Sequence, residues 1–135
     1  MSPELEAGLR LLLATVLGAI IGLQREMVHK PAGLRTHALI CLGSALFTVV
    51  SIMGFTGPVD PSRVAAGVVT GIGFLGAGVI FRGMRGESHV VGLTTAASIW
   101  VTAAIGIAAG AGLYIIAPAV AVVTLIVLLV PRVKG

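Results

Sequence analysis

Residues 90–131 read VVGLTTAASIWVTAAIGIAAGAGLYIIAPAVAVVTLIVLLVP, 42 positions without one charged side chain. As a single helix this stretch would reach roughly 63 Å, about twice the hydrocarbon core of a bilayer. It therefore reads as two membrane spans that turn near Gly110-Ala111-Gly112. Pro118 falls inside the second of them and is expected to bend it or free a carbonyl there.

Working outward from this stretch, the charges cut the rest of the chain into three more apolar blocks. Leu11 to Gln24 lies between Arg10 and Arg25. It is short for a span, but Arg10 can snorkel and extend it toward Ala7. Thr36 to Val59 is the next block, with a span ending near Met53 because Gly54, Gly57 and Pro58 form turns. Val64 to Phe81 is the last. The fold class is all-α: a polytopic membrane bundle of five spans, the alternative being four spans plus one re-entrant or interfacial helix.

Composition agrees. Of 135 residues, 57% are hydrophobic and 10% charged, against about 25% charged in an average globular domain. So little charge would leave a water-soluble surface uncovered. Nineteen glycines suit helices that pack closely in lipid. The formal charge of +4 sits at span ends, not in a basic run, so it reads as topology and headgroup contact rather than nucleic-acid binding. The lone Cys41 excludes an intrachain disulfide. One transmembrane domain over residues 1–135 is the expectation.

Five spans put the chain ends on opposite sides. One side then holds Arg25, Lys30, Arg35, Arg82, Arg85, Arg132 and Lys134 against Glu26 and Glu87. The other holds Arg10 and Arg63 against Glu4, Glu6 and Asp60. The positive-inside rule places the first side in the cytoplasm, with the amino terminus outside and the carboxyl terminus inside.

The chain also reads as a duplication. Gly22-Leu23-Gln24-Arg25 ends one span and Gly33-Leu34-Arg35-Thr36 opens the next. Gly78-Val79-Ile80-Phe81-Arg82 and Gly92-Leu93-Thr94-Thr95 repeat that step. Two hairpins of equal orientation imply a parallel repeat about an axis along the membrane normal, with the fifth span left over.

Several side chains are candidates for function. Glu26 and Arg25 stand where the first span leaves lipid, and a carboxylate at that depth needs a partner. Arg35, Arg82 and Arg85 are candidates; the bland reading is a salt bridge, the sharper one a cation or proton site. Arg35, Thr36 and His37 open the second span, and Thr94 and Thr95 open the fourth. Two helix starts beside arginines suit an anion, a phosphate headgroup or a nucleotide, or else mere capping. His37 and Cys41 share a face but make too few ligands for zinc, so neither metal nor cofactor is expected. Thr95, Ser98 and Thr102 back-bond to their own helix or line a polar seam.

The glycines read as packing faces. Gly18 and Gly22 form a GxxxG pair on the first span, as do Gly106 and Gly110 on the fourth. Gly67, Gly71, Gly73, Gly76 and Gly78 line the third, which is expected at the bundle centre. Such faces also suit a homodimer or larger homo-oligomer.

The runs GAIIGLQREMVHKPAGLRTHALICLGSALF (18–47), GIGFLGAGVIFR (71–82) and GLTTAASIWVTAAIGIAAGAGLY (92–114) resemble the signature blocks of the MgtC/SapB membrane family. The motif base and acid map to Arg25 and Glu26, the Gly-Leu-Arg-Thr-His motif to Gly33–His37, and the Gly-Leu-Thr-Thr-Ala-Ala motif to Gly92–Ala97. The resemblance implies a bacterial inner-membrane protein associated with magnesium limitation and with pathogen survival. It implies a regulatory module, with restraint of the ATP synthase among the family's roles. The alternative is a small transporter or channel for magnesium or an anion. Many members continue into a soluble cytoplasmic domain, which a chain stopping at Gly135 would lack. No nucleophile–base pair, metal set or phosphate loop points to an enzyme.

Overall fold

The computed structural model describes residues 2–83 and 92–131. Five helices follow in order: α1 (Pro3–Met27), α2 (Leu34–Met53), α3 (Ser62–Gly83), α4 (Leu93–Gly110) and α5 (Ile116–Leu129). The first four are long and apolar enough to cross a membrane. α5, at 14 residues, reaches only about 21 Å.

Local chemistry fixes most of the ends. Ser2 caps α1, its Oγ accepting the Leu5 amide at 3.1 Å, with Pro3 in the first turn. Glu4 and Glu6 follow where the helix dipole favours acids. Before α3, the Asp60 carboxylate accepts from the Ser62 amide at 3.0 Å and the Ser62 hydroxyl at 2.7 Å. α4 stops at Gly110, and Gly112 follows at φ +86°, a left-handed turn that costs glycine little. Pro118 does not bend a span. It sits in the first turn of α5, where its missing N–H leaves no hydrogen bond unmade.

The bundle is organised around α4, which touches all four other helices. α1 and α4 both lie against α2, through glycines that leave room for its backbone. A Cβ on Gly18 would stand 2.6 Å from Cys41 Cβ, and one on Gly22 would stand 2.6 Å from the Gly33 carbonyl oxygen. On the other flank, a Cβ on Gly110 would stand 2.6 Å from the Ala45 carbonyl oxygen and 2.9 Å from Thr48 Cβ. The α2 face between them is small and buried: His37, Cys41, Ser44, Ala45 and Thr48. Lipid supplies no hydrophobic drive between helices, so close van der Waals approach must hold them.

α3 is not at the centre, contrary to the expectation from its glycines. It leans on α4 through Ile72, Val68 and Val79 against Ile99 and Ala103, and touches α2 only sparsely. Gly76 faces Ala96 Cβ at an ordinary 3.6 Å, while Gly67, Gly71, Gly73 and Gly78 have nothing within 4 Å of a would-be Cβ. Small residues permit close packing but do not say which neighbour arrives. Phe74 and Phe81, about 80% exposed, point away from the bundle.

The two hairpins meet in matching places. Gly22 of α1 abuts Gly33 before α2, and Val79 of α3 abuts Gly92 before α4. α5 then fills the angle between α1 and α4, burying Ala117 and Ala121 against Ala14, Leu17, Ile105 and Ala109. The corresponding angle between α2 and α3 is an open apolar groove of about 660 Å³, lined by Leu39, Gly43, Phe47, Gly67, Gly71 and Leu75 among others.

Candidate functional site

Polar side chains gather where α1 ends and α2 and α4 begin. Arg25, in the last turn of α1, is only 3% exposed. Its Nη2 donates to Thr95 Oγ1 at 3.1 Å, and its Nε is buried without a partner among the described residues. His37 is fully buried. Its Nδ1 lies 3.0 Å from the Gly33 carbonyl oxygen and its Nε2 2.9 Å from Ser98 Oγ. A carbonyl only accepts, so in the neutral ring Nδ1 carries the proton and Nε2 accepts from Ser98. Ser98 Oγ also lies 2.8 Å from the Thr95 carbonyl, so its single proton is shared between that oxygen and His37 Nε2, and Thr102 bonds back to the Ser98 carbonyl at 2.7 Å. The result is a polar seam through the α1–α2–α4 contact, built from residues one helical turn apart.

The candidates from sequence separate into two groups. Arg25, His37 and Thr95 converge in this seam. Arg35, Thr36, Arg82 and Thr94 are exposed. Arg85 lies outside the described residues. Glu26 is exposed and makes no ion pair among the described residues. Its Oε1 accepts the Leu34 amide at 3.3 Å instead. The physical reason is local: Gly33 offers no side chain to cap α2, and an unpaired first-turn amide takes the nearest carboxylate.

A second cluster, not anticipated as a site, stands at the opposite end. Arg10 donates to the Gly110 carbonyl at 3.0 Å, to Glu6 Oε1 at 3.0 Å and to Tyr114 Oη at 3.3 Å. It ties α1 to the turn between α4 and α5. The Glu6–Arg10 spacing of four was the available signal; the Gly110 carbonyl left no trace in the sequence.

A family model for the MgtC family matches residues 11–134. The chain belongs to the MgtC family. It is 52% identical over 127 residues to "Putative magnesium transporter YhiD" of Escherichia coli K12, covering 89% of this chain and 58% of that protein. It is 47% identical over 115 residues to protein SrpB of Synechococcus elongatus, covering 78% and 63%. It is 49% identical over 100 residues to protein MgtC of Brucella abortus, covering 74% and 40%. The chain thus spans between 40% and 63% of the length of these curated relatives. No solved structure matches it. Within this MgtC-family fold the motif blocks meet one another: Arg25 of the first reaches Thr95 of the last, and His37 reaches Ser98.

Proposed function

We propose that this chain is the membrane module of a regulator linked to magnesium limitation, working by helix-to-helix contact in the bacterial inner membrane. The observation that carries this reading is the open α2–α3 groove. The equivalent angle between α1 and α4 is occupied by the apolar helix α5, so the vacant one has the shape and chemistry to take a transmembrane helix. Its floor carries Gly43, Gly67 and Gly71, which allow backbone approach. A second copy of the chain supplies such a helix when the protein forms a homodimer. The ATP synthase, the partner the family resemblance implies, supplies another.

The name of the Escherichia coli relative favours a second reading, a transporter. The acids weigh against a magnesium path. Magnesium takes hard oxygen ligands, usually carboxylates with retained waters. Here Glu6 is bound to Arg10, Glu26 holds the start of α2, and Asp60 holds the start of α3. An anion path is the version that the buried Arg25 accommodates.

Two measurements separate the readings. Cysteine introduced at Gly67 should crosslink across copies, or to a co-purifying membrane protein, in native membranes. Reconstituted vesicles should show magnesium movement no faster than empty ones. Magnesium flux that Gly67→Ile leaves intact would overturn the regulatory reading.

A further inference from the structure

The seam leaves an electrostatic account unclosed. Arg25 is charged at any physiological pH and is almost wholly buried. Thr95 is the one acceptor its guanidinium reaches among the described residues, and no described carboxylate pairs with it. Burying a charge without a counter-ion is costly. Its surroundings add to the excess. The guanidinium lies at the first turn of α4 and near the start of α2, and helix starts carry partial positive charge. α4 begins at Gly92, which supplies no side-chain cap, so among the described residues the amides of Leu93, Thr94 and Thr95 remain as donors. Glu26, the acid nearest in sequence, points outward to Leu34.

Donors therefore converge from two independent sources: an orphaned buried Nε beside Nη2, and an uncapped helix start. Leu93 and Thr94 are exposed beside buried Thr95, so the turn is open on one side. Arginine forks and first-turn amides together match the oxygens of a tetrahedral oxyanion. We propose that Arg25 and the first turn of α4 form a binding site for a phosphate-class anion at this rim of the bundle. The same chemistry is offered by inorganic phosphate and by the phosphodiester of an anionic lipid headgroup. The site does not depend on whether the protein regulates or transports.

The test uses the whole chain, purified in detergent and stripped of lipid. Inorganic phosphate is titrated while thermal unfolding is followed, with chloride at equal ionic strength as control. In parallel, native mass spectrometry scores retention of phosphatidylglycerol against phosphatidylcholine. We expect saturable stabilisation by phosphate or selective retention of phosphatidylglycerol; the first identifies a free anion and the second a headgroup. Thr95→Val and Arg25→Lys should each weaken binding, the latter by about tenfold because lysine keeps the charge but loses the fork. Arg25→Gln should abolish it. Should Arg25→Gln fail to fold, the other two variants decide. Neither probe binding the wild type, or both milder variants binding as the wild type does, overturns the site.

Discussion

His37 Nε2 of α2 lies 2.9 Å from Ser98 Oγ of α4, in a buried contact. It links α2 and α4, the second helix of each hairpin. Replacing either partner strands the other. A double-mutant cycle over His37→Ala and Ser98→Ala should give a coupling of about 1 kcal/mol in detergent unfolding. Strictly additive effects would mean that the pair does not hold the helices together.

Glycine substitutions should divide by place and not by motif. Gly18→Ala and Gly110→Ala press a methyl into the backbone of α2, and each should destabilise by about 1–3 kcal/mol. Gly73→Ala and Gly78→Ala, which face open space, should leave the unfolding midpoint of the monomer where it is. Equal losses at all four positions would contradict the arrangement.

The orientation can be read by labelling. A cysteine at Gly57 should react with a membrane-impermeant maleimide in intact cells, and one at Lys30 only after permeabilisation. Native Cys41 is fully buried and should stay silent in both. The reverse pattern would invert the assignment made from the basic loops.

Asp60 should report the start of α3. The hydroxyl and amide of Ser62 hold its carboxyl below the usual carboxylate range. A group lowered on folding stabilises above its unfolded value, about 3.9, and that contribution is lost as pH falls through the lower folded one. The Ser62 amide shift should therefore titrate with a midpoint under 3.9, and Asp60→Asn should flatten the curve. A midpoint at or above the free value would remove the cap.

Much of the molecule was legible beforehand. The end of α2 at Met53 and the turn after Gly110 both followed from charge, glycine and length. So did membership of the family, through motif blocks. The positions of the side chains within the bundle did not. Arg25 and Arg82 end their helices in the same way, yet one is buried on Thr95 and the other exposed. Gly18 and Gly67 both open a GxxxG pair, yet only Gly18 meets another helix.

The sequence by itself determined that five apolar helices form and where α2 and α4 end, though not that α1 reaches back to Pro3. Lipid demands unbroken apolar stretches and pushes charge to their ends, and both demands are written along the chain. Only the tertiary structure decided which face of each helix turns inward. A span must be apolar all the way round, so no amphipathic stripe records its rotation, and close fit between small residues settles it instead. That fit put α4, and not the glycine-lined α3, at the centre, and it drew Arg25 into the polar seam.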